Sequence, residues 1–439
     1  MFTTLKNAFK VKEIRSKLFF TFLMIVVIRI GSQLPVPGVD REYFAAWFSQ
    51  QTSDAFSLLD AFTGGSFLNM SILALNINPY ITSSIIMQLL TIAIPKLEEM
   101  QKDGEDGRKK IQTITRYVTV ALAILEASVM VIGFGNQGLL EQFNAMNVIT
   151  AIVALVAGST FIMWIGERIT EKGIGNGISI VLVINIISRM PQEISGLFEQ
   201  FVIGKKVAIA VVAAVIIIAV IVGMTVLVVI LNGGVRKIPV QYAKKVQGRK
   251  MVGGQTTSIP LKVNTAGVIP IIFASSIMQL PIIISSFAKY NGTGVWAEIL
   301  KVLNSGYWCK FTAGQWYYSV GLLVYVVLVV FFAYFYTSIT FNPLEISENM
   351  KRQGGFIPGI RPGKPTSEYL TKVLNYIIFI GAIGLTIIGV LPFLINGVFS
   401  TSITFGGTSL IIVVSVVLET VKQIESQMLV RNYKGFLND

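Results

Sequence analysis

Asp60 to Leu90 reads DAFTGGSFLNMSILALNINPYITSSIIMQLL, a short glycine-broken piece (Thr63, Gly64, Gly65, Ser66) running into an apolar stretch from Ile72 to Ile94. Asn76, Asn78, Pro79 and Gln88 interrupt that stretch. A proline inside a membrane-length helix leaves carbonyls unpaired, so protein or water is expected to face Pro79. The same words return from Gly267 to Pro281, GVIPIIFASSIMQLP. With Pro79 laid on Pro270, seven of eleven positions agree, including Ile86-Met87-Gln88-Leu89 on Ile277-Met278-Gln279-Leu280. A repeat at that distance predicts two related halves about a shared axis, with these two helices facing it. Duplicated halves are common among membrane transport proteins, so the repeat alone does not choose a function.

The chain as a whole is strongly apolar too. Of 439 residues, 53% are hydrophobic, and the mean hydropathy is +0.69. This is an integral membrane protein. There is no histidine and a single cysteine, Cys309, in a short aromatic-rich loop that suggests no role for it. That composition excludes Ser-His-Asp and Cys-His catalysis, histidine-bearing metal sites and internal disulfides.

Ten apolar segments of roughly bilayer-spanning length follow one another, near 18–35, 72–94, 117–134, 146–166, 178–190, 207–231, 265–288, 317–340, 373–395 and 404–421. The fifth is short. The basic start (Lys6, Lys10, Lys12, Arg15, Lys17) resembles a signal peptide, but no small-residue cleavage site follows, so a retained first helix is expected. With the amino terminus inside, the two ends and the even-numbered gaps hold 28 of the 36 lysines and arginines. The positive-inside rule therefore predicts ten spans with both ends cytoplasmic, five (1–200) before five (201–439).

Lys96 to Arg116 reads as a charged cytoplasmic connection. Two others are too long to be only that: 232–263 and 342–371. The first alternates at Lys237-Ile238-Pro239-Val240-Gln241-Tyr242, which predicts a small hairpin, and the second has a Pro/Gly-rich tip, GGFIPGIRPGKP. They are either solvated basic loops that set topology or a docking platform for an acidic or RNA-containing partner.

Ionisable groups deep in the bilayer are few (Arg29, Glu126, and Glu419 near a helix end), with no paired carboxylates, which weakens an ion-coupled transporter reading. GIGNG at Gly173–Gly177 lacks the dinucleotide spacing, and Gly363-Lys364 is followed by Pro365 where a phosphate loop needs Ser or Thr. Asn291-Gly292-Thr293 fits a glycosylation acceptor, a pattern frequent by chance. No cofactor or energy source is built in. A solute transporter and an intramembrane enzyme remain as rivals, each with little chemistry to use. Ile77 and Ile81, like Ile178 and Leu182, lie four apart on one helical face, which by itself reads as ordinary core or lipid-facing packing.

Several longer segments are more specific: SILALNINPYITSSIIMQLL (71–90), GERITEKGIGNGISI (166–180), PLKVNTAGVIPIIFASSIMQLP (260–281), FIPGIRPGKPT (356–366) and FGGTSLI (405–411). In order and over essentially the whole chain, they resemble the bacterial SecY protein-conducting channels. The resemblance implies an all-α protein of ten transmembrane helices, in two pseudo-symmetric five-helix halves around a central hourglass pore. It implies a protein of the bacterial inner membrane that conducts unfolded polypeptides, releases transmembrane segments sideways, and is not an enzyme.

The family's pore ring maps to Ile77, Ile81, Ile178, Leu182, Ile272 and Ile412, all apolar here. Branched aliphatic side chains can form a dewetted constriction that resists ions yet deforms around a peptide. The glycine-broken segment, about 57–69 with Phe62, Gly64, Gly65 and Phe67, matches the plug, its glycines giving it freedom to move. Thr82, Gln88, Asn264 and Ser275 match the lateral gate, where Gln88 and Asn264 are expected to bond across the opening. Arg249, Lys250 and Arg361 match the surface that docks the SecA motor and the ribosome, and a guanidinium between turn-forming Pro and Gly suits carboxylate or phosphate. Small membrane partners resembling SecE and SecG, secretory substrates with signal sequences, and the lipid bilayer complete the implied set. Neither rival accounts for two basic platforms and an apolar ring together.

Overall fold

The computed structural model describes residues 9–50, 60, 63–140, 142–203, 207–242, 245–247, 250–252, 256–287, 294–309, 316–399 and 407–435. Up to residue 201 the chain forms α1 (Lys12–Gly31), α2 (Arg41–Gln50), α3 (Asn78–Ala93), α4 (Pro95–Lys102), α5 (Glu105–Phe134), α6 (Ala145–Lys172) and α7 (Gly177–Phe201). Beyond it come α8 (Val207–Gly233), strands β1 (Val235–Tyr242), β2 (Lys245–Gln247), β3 (Lys250–Val252) and β4 (Thr256–Lys262), then α9 (Ile269–Phe287) and α10 (Val295–Leu303). The chain closes with α11 (Val320–Thr340), α12 (Pro343–Arg352), β5 (Gly355–Phe356), α13 (Lys364–Phe399) and α14 (Gly407–Gly435). Each predicted apolar segment carries a helix: α1, α3, α5, α6, α7, α8, α9, α11, α13 and α14. Among the described residues six helices are singly long and apolar enough to cross a membrane, seven with α3 and α4 taken as one bent span, a pattern consistent with ten passes.

Several boundaries differ from the sequence reading, each for a local reason. Pro79 does not interrupt a helix; it is the second residue of α3, where its missing N–H costs no hydrogen bond, and residues 72–77 are turns. Pro270 holds the same place in α9. The repeat extends to burial: Pro79, Ser83 and Met87 are buried on α3, and Pro270, Ala274 and Met278 on α9. Lys96–Arg116 is not a loop but α4 and the start of α5, with α4 turned 101° from α3. Ile94, held extended before Pro95 (φ −112°, ψ 111°), makes that bend. Helix α7 continues through Pro191 to Phe201, so the fifth segment is not short. Cys309 is 2% exposed and packs with Trp308 and Tyr325 in the core between α9, α11 and α13; the aromatic surroundings that made it look incidental are what bury it.

The packing order repeats along the chain. Helix α3 packs on α5, α5 on α6, and α6 on both α7 and α1. In the second set α9 packs on α11, α11 on α13, and α13 on both α14 and α8. The sets meet where α7 touches α8 and α14, and where α5 touches α9. The connector leading into α3 lies directly on α6. A side-chain carbon at Gly158 would stand 2.0 Å from the Ile72 carbonyl oxygen, and Ser159 Oγ donates to the Asn76 carbonyl at 2.9 Å. Gly158→Val is therefore expected to lower thermal stability in detergent, by about 1–3 kcal/mol for an overpacked contact. An unchanged unfolding temperature would mean that this connector is not seated on α6.

The predicted hairpin forms: β1 and β4 pair antiparallel from Val235↔Lys262 to Gln241↔Thr256. No sequence pattern marked β5, from the other long loop, which adds to the same sheet through Gln241↔Phe356 and Tyr242↔Gly355. A small core of Ile238, Val240, Leu261, Met350, Ile357 and Leu370 lies beneath it. The two loops are one body.

Candidate functional site

The six ring positions gather on the two sides of the seam between the helix sets. Ile77, just before α3, is fully buried with Ile28, Leu73, Ile162, Ile165, Ile169 and Val181, and Ile81, Ile178 and Leu182 pack at the margin of this cluster. Ile412 is buried in the second set's core, with Ile272 partly buried against it. Leu182 packs against both clusters and joins them. These six side chains offer no polar group to a solute.

The glycine-broken segment rests against α7. Gly64 has φ +67°, and a Cβ there would stand 2.9 Å from both the Asn185 carbonyl oxygen and Ser188 Oγ. The glycine is thus required for close approach as well as for its left-handed backbone. Gly65 has φ +85° and lies beside the Arg189 side chain. Phe67 is buried and meets Phe44 edge-on at 5.8 Å, and Phe44 meets Phe134 at 5.6 Å. Phe62 lies outside the described residues, as do Arg249 and the Asn291-Gly292-Thr293 triplet.

Polar residues that the sequence reading largely missed surround this segment. Asp60 is fully buried, accepts the Leu68 N–H on Oδ1 at 3.0 Å and forms an ion pair with Arg189. Arg29, at the end of α1, donates to Asn185 Oδ1 and, at 2.7 Å, to Ser188 Oγ. Of these only Arg29 had been singled out. The available signal was charge of opposite sign, Asp60 and Arg189, bordering or inside apolar segments, where single charges are costly to bury.

At the proposed gate, α3 faces α11 and α9 across a shallow surface cleft lined by Ile85, Gln88, Leu89, Phe273, Phe332, Phe335 and Tyr336. Gln88 and Thr82 are exposed. The expected bond from Gln88 to Asn264 is absent. Asn264 is buried and its amide NH2 donates to Asn232 Oδ1 at 2.8 Å, and Asn232 donates to Ser415 Oγ at 2.7 Å, so this donor is used within its own helix set while Asn264 Oδ1 has no partner among the described residues. Ser275 Oγ donates to the Ile272 carbonyl one turn back at 3.0 Å. Helix α3 is instead tied to its own neighbours. Ser83 and Thr119 hydroxyls lie 2.5 Å apart, and Arg116 Nε donates to Glu167 Oε1 at 2.8 Å between α5 and α6. The described contacts across the seam are apolar, whereas the interior of each set carries hydrogen bonds.

On the small sheet-bearing body formed by the two long loops, Arg361 is exposed on a fixed turn. Ser347 of α12 donates to the Gly363 carbonyl at 2.7 Å, Thr366 donates to the Arg361 carbonyl at 2.8 Å, and Gly359 and Gly363 take φ +82° and +103°. Lys250 begins β3, pairing with Gln247 across the tip of the first loop.

A family model described as SecY matches residues 71–421. The protein translocase subunit SecY of Corynebacterium glutamicum is 42% identical, over 98% of this chain and 99% of that one. Its counterpart in Halalkalibacterium halodurans is 41% identical over the full length of both. Among solved structures, a protein-conducting channel superposes with a TM-score of 0.61 at 19% identity, covering 95% of this chain and 94% of that one. Sec61 in the canine ribosome–channel complex of the endoplasmic reticulum gives 0.59 at 17%, with the same coverage.

Proposed function

The chain belongs to the SecY family, and from that premise we propose that it is the pore subunit of a protein-conducting channel in a bacterial inner membrane, with both ends cytoplasmic. Unfolded secretory polypeptides pass outward through the aliphatic ring, and hydrophobic segments leave sideways between α3 and the α9–α11 pair. Residues 1–200 and 201–439 act as the two halves, and 57–69 as the plug. The chain itself is not an enzyme. Work comes from a SecA-like motor ATPase or a ribosome docked on the platform at Arg361, Arg249 and Lys250, while small subunits resembling SecE and SecG brace the halves from the membrane.

The observation that carries this reading is the junction at Leu182, where two otherwise separate apolar cores meet below a segment held against the same helix. A site for a defined solute would need convergent polar groups there. An apolar ring suits cargo of any sequence. The test uses a Cys309→Ser background with one new cysteine at Ile81, and a secretory chain carrying one cysteine stalled halfway across the membrane. A disulfide that depends on the signal sequence is expected. Its absence at Ile81, and likewise at Ile272 and Ile412, would return these residues to simple packing.

A further inference from the structure

Ile178, Leu182, Asn185 and Arg189 follow one another along α7 at steps of four, three and four, so they share one face of the helix. The first two belong to the aliphatic ring. The last two meet the glycine-broken segment one to two turns further along, so a single face passes from the constriction to the element that covers it. Among the described residues, two polar links cross from that segment to α7: the ion pair of Asp60 with Arg189, and the Ser188 hydroxyl against the Gly64 carbonyl at 3.5 Å. Other described bonds of the segment do not involve α7: Arg41 of α2 donates to the Asn69 carbonyl at 3.0 Å, and the rest are internal. Thr63 Oγ1 donates to the Asp60 carbonyl at 3.0 Å, and Ser71 Oγ to the Ser66 carbonyl at 3.2 Å. Internal bonds hold the segment's shape whether or not it stays on α7, whereas the crossing links are lost when it departs.

We propose that the Asp60–Arg189 pair is a latch whose strength sets the threshold for plug release, and through it the choice of signal sequences that open the channel. Arg29 is a positioning residue, holding Asn185 and Ser188 where Gly64 seats. The proposal rests on the channel reading above and names what resists opening. The side chain of Asp60 is 1% exposed and that of Arg189 24%, so salt screens their attraction less than that of a surface pair. Removing the Arg189 charge leaves the buried Asp60 without this counter-ion in the closed state, while Asp60→Asn leaves Arg189 only its bond to Gln192 Oε1 at 2.7 Å and the nearby Glu193 charge. That favours the state in which the segment has left and both groups meet water. Phe67 adds apolar adhesion on the other side, but it lacks the on–off character of a charge pair.

The experiment uses the full chain with its membrane partners, in cells depleted of the resident channel. Two reporters are followed, one with an intact signal sequence and one with the apolar core of its signal disrupted. Asp60→Asn and Arg189→Gln are each expected to raise export of the defective reporter, relative to the intact one, about tenfold, the factor that ~1.4 kcal/mol of lost latch strength produces. The exchange Asp60→Arg with Arg189→Asp is expected to bring the ratio back toward the parent, and Arg189→Lys to leave it close to the parent. Ion conductance of the purified complex in planar bilayers without substrate should follow the same order, leaky for the single variants and sealed for the exchange. Single variants that leave the ratio unmoved, or an exchange as leaky as they are, would overturn the latch while intact-signal export still supports the channel. Failure of the unaltered chain to export either reporter would remove the channel reading, and the latch with it.

Discussion

Ile412→Asn, and separately Ile81→Asn, should allow export of reporters whose signal sequences are too weak to open the parent channel. Ile412 is 2% exposed in the core of the second helix set, and Ile81 packs beside the fully buried Ile77 in the first. An asparagine at either place puts an amide where no partner awaits it, at a cost of about 1–3 kcal/mol in protein interiors. The open state, in which water and polypeptide reach the ring, does not bear that cost. The closed state is therefore weakened up to about a hundredfold, and a wetted ring also admits ions that a dewetted one refuses. The measurement is export of a signal-defective reporter against an intact one, with ion leak as the second readout. If both variants keep the parent's selectivity and stay sealed, these isoleucines are not the constriction.

Arg361→Glu is expected to abolish motor-driven export while the chain still inserts into the membrane. Its guanidinium is exposed on a turn whose backbone is fixed from both sides, by Ser347 on the Gly363 carbonyl and Thr366 on its own. The variant should fold as the parent does, since the side chain makes no core contact. Reversing a charge in a close pair with a docked partner costs about 2–5 kcal/mol or more, a loss of at least about thirtyfold in docking. Arg361→Lys should recover only part of the activity, because an ammonium cannot reproduce a two-pronged contact. ATP-dependent translocation into vesicles holding the purified complex checks both variants. Normal motor-driven transport by Arg361→Glu would move the docking role elsewhere on the platform.

The helices were legible because lipid imposes length and hydropathy, and the fold repeats that signal ten times. The start of α9 was legible because the repeat around Pro79 and Pro270 survives in the letters, whereas the six ring positions came only from the family resemblance, since four-apart isoleucines look the same in any apolar helix. Helix ends were less so. Pro79 was misjudged as an interruption because a proline opening a helix and one inside it look alike in an apolar run, and only the turns at 72–77 separate them. The bond from Gln88 to Asn264 was misplaced for a different reason. An amide at the end of β4 can turn toward the gate or toward Asn232 and Ser415, and packing of α8 and α14 decides between them. Asp60 and Arg189 were passed over because ion pairs between residues so far apart in sequence leave no local pattern. The β1–β5 pairing is hidden likewise, since two residues of β5 carry too little pattern to read as a strand.

That small sheet decides where a pull is felt. Strand β1 follows α8, β4 leads into α9, and β5 lies between α12 and α13, so the platform is rooted on the second helix set. A motor that grips it holds four helices by one handle and the first set by none. On the proposed reading, thrust delivered there would load the second set directly and reach the first only through the α7–α8, α7–α14 and α5–α9 contacts.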